Sequence, residues 1–373
     1  NTRERSIFMT VQLSTHEKLE QVCKAFRIQG SLQSYEEIKV GNVNKTYRVN
    51  FLQEDGKRKS YIVQAVNTYV FKNPVQVMSN IDLVTEHIHA KAPKKRVLHF
   101  HHTADRKTYL MDDKGFWRLF NYIPSNTYNT TDNLDIIRNA GEAFGQFQMM
   151  LSDFDASSLY ETIPNFHNTP DRCRLFREAI ERDAVGRAAA VQPEIDFALA
   201  REAEMSILQN LLSAGEIPLR VAHNDTKLNN VLLDAKTRKA LCVVDLDTVM
   251  PGSSLFDFGD AIRYGASTAA EDERDLSKVE MSLERFRVFT RGYVRACPNL
   301  TARELELLPL GAKTITLECG MRFLTDHIDG DLYFAVHREG QNLDRARAQF
   351  KLAADMEKKW DDMRRIVAEE TKA

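Results

Sequence analysis

The sequence predicts an α+β protein of two lobes, an N-terminal antiparallel-sheet lobe and a larger, mostly helical C-terminal lobe. Three observations carry this. Between residues 35 and 66 short strand-like runs alternate with turns, and residues 96–123 carry further strands. From Thr131 onward the apolar residues recur at helical spacing. At 373 residues the chain exceeds an ordinary single domain. The lobes are expected to span residues 1–122 and 123–373.

The elements follow in order. Ser14 and Glu17 form a capping box, Leu19, Val22, Cys23 and Phe26 an apolar face, and Gly30 is the expected end of that first helix. Strand-like runs follow at Glu37–Val40, Tyr47–Phe51 and Ser60–Val66, the last two separated by the turn Glu54-Asp-Gly56. Pro74–Ala90 is expected to be a helix on Val77, Ile81, Val84 and Ile88. Further strands occupy 96–123, ending in Phe116–Ile123 before Pro124. In the second lobe, Leu134, Ile137, Phe144, Phe147 and Leu151 mark a helix. Thr169-Pro170 opens another, with Thr as cap and Pro at the first position. Pro193–Leu212 is a third, Thr301 and Glu304 cap a fourth, and one long helix is expected from Leu343 to Val367. Its stripe of Phe350, Met356, Trp360 and Met363 is core packing.

Composition excludes several classes. The formal charge is −2, which does not suit a nucleic-acid partner. No apolar run approaches a membrane span. The opening Asn-Thr-Arg-Glu-Arg does not read as a secretory signal. Five scattered cysteines lack metal-ligand spacing and read as reduced thiols in a cytoplasmic protein. A monomer or weak homodimer is expected.

The chemistry concentrates in Val221–Asp234 and Leu241–Asp247. His223, Asp225 and Asn230 form one block, and Asp245 and Asp247 end the next apolar run. Phosphoryl transfer needs such a set: a carboxylate to orient the acceptor hydroxyl, then an amide and a carboxylate to hold a metal on the phosphates. Val231–Leu233 and Ala240–Val244 flank a polar turn and read as a hairpin, which brings Asn230 and Asp245 together at its open end. Oxygen ligands there suit Mg²⁺. Asp225 leads into the same end. His223 reads as scaffold rather than catalyst, and Asp257, Asp260 and Arg263 as supports of the metal site.

These residues resemble the aminoglycoside phosphotransferase and choline kinase superfamily, which has a bilobal protein-kinase-like fold. Within it the chain is most similar to the N-acetylhexosamine 1-kinases. The stretches that carry the likeness are His223–Val231, Val244–Gly252, Asp257–Arg263, Val70–Pro74, Arg322–Asp326 and Gly340–Arg345. The resemblance implies ATP- and Mg²⁺-dependent phosphorylation of the anomeric hydroxyl of N-acetylglucosamine or N-acetylgalactosamine. It implies that Asp225 is the catalytic base or hydroxyl-orienting group and that Asn230 and Asp245 bind Mg²⁺. It implies a nucleotide-binding first lobe in which Gly41, Asn42, Val43, Asn44 and Thr46 cover the phosphates. Gln64 would then lie beside the phosphates, and backbone near Phe120 and Tyr122 would hold the adenine. A cleft between the lobes is the expected small-molecule site.

Two departures stand out. Gln64 occupies the place where kinase-like folds carry a strand lysine, which leaves Glu86 without its usual partner and Lys45 and Lys72 as substitutes. The loop at Gly41 has one glycine only. For the acceptor, Arg322, Asp326 and His327 share a helix after the hairpin, with Asn42 as a further contact. An Arg322–Asp326 ion pair, four residues apart, is the plain alternative. Rival readings are a kinase for choline, homoserine, a methylthio-sugar or an aminoglycoside, and a nucleotide-binding pseudokinase.

Overall fold

A computed structural model describes residues 14–39, 43–113 and 115–372. It divides into two compact units. One holds the described residues up to Met78 together with Leu98–Ile123, the other Ser79–Val97 with the chain from Pro124 onward. Among the described residues no helix is long and apolar enough to cross a membrane.

The first unit is an antiparallel sheet of five strands: β1 (Ser31–Ile38), β2 (Lys45–Leu52), β3 (Arg58–Val66), β4 (Leu110–Asp112) and β5 (Gly115–Asn121). Their order is β1-β2-β3-β5-β4. Side chains alternate between the faces of a strand. The odd-numbered ones, Val49, Phe51, Tyr61, Val63, Trp117 and Leu119, bury against α1 (Thr15–Ala25) through Leu19, Val22 and Cys23. The even-numbered face carries Thr46, Gln64 and Arg118, which the register places in one row across β2, β3 and β5.

The capping box of Ser14 and Glu17 is present. The helix ends earlier than Gly30, however. Arg27 adopts a left-handed φ of 61°, and the Ile28 and Arg27 N–H groups return to the Cys23 and Lys24 carbonyls. That is a Schellman closure made by a residue other than glycine.

Helix α2 (Pro74–Lys91) buries Val77, Ile81, Val84 and Ile88 as their spacing predicts. The second unit continues with α3 (Leu134–Met150), α4 (Thr169–Arg182), α5 (Gln192–Leu199), α6 (Glu202–Met205) and α7 (Ile207–Ser213). Two short strand pieces and a hairpin follow: β6 (Arg220–Ala222) and β9 (Met250–Gly252), with the hairpin β7 (Val231–Leu233) and β8 (Ala240–Val243) between them. The chain closes with α8 (Ser254–Gly265), α9 (Leu283–Ala296), α10 (Ala302–Asp329), α11 (Gln341–Lys358) and α12 (Trp360–Lys372). A single apolar core runs through these helices, with Phe144, Phe176, Phe258, Phe286 and Tyr293 fully buried. Helices α8 and α10 touch backbone to backbone: a Cβ at Gly259 would lie 2.3 Å from the Gly311 carbonyl oxygen.

Three expectations need correction. Asn168, not Thr169, caps α4, so Pro170 falls one position further in. Residues 193–212 form three helices, divided at Ser206 and at Arg201, which leaves helical backbone while its guanidinium grips Glu357 and covers the Phe197 ring. The final helix is also two, broken at Lys359, whose ammonium folds back onto Asp355 and the Met281 carbonyl. The breaks at Arg201 and Lys359 answer to tertiary partners that local propensity does not report.

Candidate active site

Strand β6 pairs antiparallel with β9 and delivers the chain into the loop at His223. In that loop four consecutive main-chain N–H groups are captured by side chains. His223 N–H donates to Asp257 Oδ2 and Asn224 N–H to Asp257 Oδ1, each at 2.8 Å. Asp225 N–H donates to His223 Nδ1 at 3.3 Å, and Thr226 N–H to Asp260 Oδ2 at 2.9 Å. Asp257 and Asp260 are one turn apart on α8, so one helix face sets the loop conformation. Gln148 of α3 and Arg263 complete the two carboxylates' partners. Arg263 holds the Asp260 carboxyl below its ordinary range against the opposing effect of burial.

His223 is fully buried, edge-on to Phe144 and Phe147. Its Nε2 is 2.9 Å from the Val244 carbonyl oxygen. With Nδ1 accepting from Asp225, the neutral ring with its proton on Nε2 satisfies both contacts. The ring is a strut between the loop and the hairpin.

Asp225 is half-buried and pairs with Lys227 Nζ at 2.9 Å. Burial works against the Lys227 cation, but the Asp225 carboxylate outweighs it and the ammonium's pKa is raised. Asn230 Nδ2 donates to the Asp225 carbonyl at 2.8 Å, which turns Oδ1 the other way. Val231 pairs with Val243, and Val244 N–H donates to the Asn230 carbonyl, so Asn230 and Asp245 meet at the hairpin's open end. Asp245 is exposed and left-handed at φ 60°. One amide oxygen and one carboxylate match the donor set of a hard divalent cation that keeps waters and takes phosphate oxygens. The pair fits Mg²⁺. Asp247 is 3 % exposed, turned into the protein.

In the first unit, Gly41 and Asn42 lie outside the described residues. Val43 is exposed, and Asn44 Oδ1 accepts the Asn67 N–H. Thr46, Gln64, Phe120 and Tyr122 all fall on the even-numbered sheet face. The main chain of Phe120 is paired on both sides, to Ile62 and Phe100. Tyr122 follows the last ladder pair, with its N–H on Ser60 and its ring under the Arg48 guanidinium. Glu86 is exposed; Lys72 lies over the Tyr69 ring, and Lys45 is odd-numbered, off the face of Gln64.

Arg322 and Asp326 do not pair. The Arg322 guanidinium sits 5.4 Å from the Phe166 ring, 6.0 Å from Tyr333 and 5.5 Å from Phe334. Asp326 turns instead to the loop after α10. It accepts the N–H groups of Leu332, Tyr333 and Phe334 and the amide of Asn342. His327 is buried; its carbonyl accepts from Arg187, and burial lowers its pKa.

Sequence reasoning missed Lys227, Phe166, Tyr333 and Arg118. The Asp-x-Lys spacing could have flagged the first. A charge inside the apolar run Phe116-Trp-Arg-Leu-Phe could have flagged the last.

The chain belongs to the phosphotransferase enzyme family (APH), which its residues 34–292 match. It is a phosphotransferase. Its fold is shared with a microcompartment-associated aminopropanol kinase, 15% identical, over 93% of this chain and 98% of that one, with a TM-score of 0.58. An aminoglycoside phosphotransferase from Alicyclobacillus acidocaldarius is 11% identical, with 91% and 93% covered and a TM-score of 0.59. An amicoumacin kinase solved with AMP-PNP and Ca²⁺ is 13% identical, with 91% and 93% covered and a TM-score of 0.57.

Proposed function

We propose that the protein is a cytoplasmic, ATP-dependent kinase that phosphorylates the anomeric hydroxyl of N-acetylhexosamines, giving the sugar 1-phosphate. Residues 1–122 bind the nucleotide and residues 123–373 carry catalysis and the acceptor site. ATP and a divalent metal are supported by the family and by the nucleotide and Ca²⁺ in the amicoumacin kinase.

Asp225 orients the acceptor hydroxyl and takes its proton as the new oxygen–phosphorus bond forms. The bond between the γ-phosphorus and the bridging oxygen breaks, and ADP leaves with that electron pair. In a loose transition state full deprotonation beforehand is unnecessary. Lys227 holds Asp225 in place and keeps positive charge beside it. Asn230 and Asp245 hold the metal, which when bound neutralises charge on the phosphates. Gly41, Asn42, Val43, Asn44, Thr46 and Gln64 serve the phosphates, and backbone at Phe120 and Tyr122 serves the base.

The observation that carries the acceptor class is Arg322. Among the described residues its guanidinium has no carboxylate partner and lies among three aromatic rings. A cation repels choline-like and aminoglycoside acceptors, which call for acidic or aromatic cages. A guanidinium's donors beside aromatic faces suit a neutral ring bearing hydroxyl and amide groups. Arg322 and His327 serve the sugar from α10. Asp326 contributes by fixing the loop that presents Tyr333.

The test is incubation with ATP, Mg²⁺ and N-acetylglucosamine, N-acetylgalactosamine, choline, homoserine, methylthioribose or an aminoglycoside, followed by phosphorus NMR. An anomeric sugar phosphate supports the reading. Phosphate on any other acceptor moves the protein to another kinase of this fold. Nucleotide binding without turnover on any of them makes it a pseudokinase.

A further inference from the structure

Arg118 sits in the middle of β5 and is 3 % exposed. A guanidinium does not give up its proton, so burying one is costly unless its donors are used. Its Nε donates to Gln64 Oε1 at 2.8 Å. Gln64 Nε2 in turn donates to Thr46 Oγ1 at 3.1 Å. The register makes this a straight row across three adjacent strands. Gln64 is half-buried, so the row runs from an accessible amide to an interior cation.

Protein kinases place a lysine on the third strand against the nucleotide phosphates. Gln64 stands there without a charge. We infer that Arg118 is the positioning residue that supplies it. By fixing Oε1 as the acceptor, Arg118 sets the amide so that Nε2 faces away from the interior. One of the two Nε2 hydrogens goes to Thr46. The other is unengaged among the described residues and meets a phosphate oxygen, polarised by the cation one hydrogen bond behind it. This rests on the ATP-dependent reading above.

The experiment compares ATP and adenosine by calorimetry in the full chain, for wild type, Arg118→Met, Gln64→Leu and the double variant Arg118→Met/Gln64→Lys. Melting curves run alongside. Arg118→Met is expected to weaken ATP by roughly 10–100-fold, the loss of a charge-assisted hydrogen bond, while adenosine binds as before. The double variant, with a lysine returned to β3, is expected to recover ATP binding. Equal ATP affinity in Arg118→Met and wild type overturns the inference. So does a parallel loss of ATP and adenosine, which would make Arg118 structural. Should Arg118→Met not fold, Gln64→Leu reads the same selectivity, and unchanged ATP affinity there overturns the inference alike. A wild type that binds no ATP sinks the nucleotide reading itself.

Discussion

His223 donates its Nε2–H to the carbonyl of Val244 at 2.9 Å, joining the loop that bears Asp225 to the strand end that bears Asp245. His223→Ala removes this strut, leaves the Asp225 N–H without its acceptor and opens a void beside Phe144 and Phe147. The expected cost is about 2–4 kcal/mol of stability, read by urea unfolding, with a fall in kcat alongside. Unchanged unfolding and turnover would show that the two ends are held by something else.

Asp225→Asn keeps the shape of the side chain and removes its basicity. Turnover is expected to drop by about 10²–10⁴-fold, with ATP affinity nearly unchanged by calorimetry. Wild-type turnover in this variant would take Asp225 out of the chemistry.

Asn230 and Asp245 are proposed to hold the metal. Chelation of divalent cations is expected to abolish activity. Asp245→Asn is expected to shift the metal concentration for half-maximal rate upward, in a titration of rate against Mg²⁺. An unshifted titration curve would place the metal elsewhere.

Glu304 is fully buried and accepts from Arg220 at 2.5 Å and 2.8 Å, from Ser254 at 2.7 Å and from the Thr301 N–H at 2.8 Å. Burial alone raises its pKa, but Arg220 and the other donors outweigh burial and hold it below the ordinary 4.5. The folded value is therefore the lower one. Its stabilisation is complete above the unfolded value and is lost as pH falls through the depressed one. Glu304→Gln is expected to cost about 3–5 kcal/mol near pH 7, because Arg220 stays buried without its countercharge. It should also flatten the loss of stability below pH 4.5. Unfolding series at several pH values measure both, and parallel curves for the two proteins would exclude this linkage.

Gly259 faces the backbone of Gly311, with room for hydrogen only. Gly259→Ala pushes α8 away from α10, and overpacking of this kind costs about 1–3 kcal/mol. Since α8 also carries Asp257 and Asp260, turnover should fall together with the melting temperature. A variant that melts like wild type would mean the helices separate freely.

What the sequence makes legible is local. The hairpin from Val231 to Val243 shows because its two apolar runs and polar turn are contiguous, so Asn230 and Asp245 could be paired by counting residues. The capping boxes at Ser14 and Thr301 show for the same reason. What it hides depends on distant partners. Arg118 acquires meaning only when three strands align. Asp326 is four residues from Arg322, yet spacing does not reveal that its carboxylate turns to the amides of residues 332–334. The same holds for the breaks at Arg201 and Lys359, where a distant glutamate and a distant carbonyl decide where the helix stops.

The capture of four consecutive amides by His223, Asp257 and Asp260 has a chemical corollary. Many enzymes meet a developing anion with main-chain N–H groups gathered at a bend. Residues 223–226 have none left to offer, since each is already directed inward. Negative charge arriving beside Asp225 would have to be balanced by the paired Lys227 ammonium and by solvent-exchangeable ions, so this bend should be sensitive to ionic strength and metal supply in a way an amide-lined pocket is not.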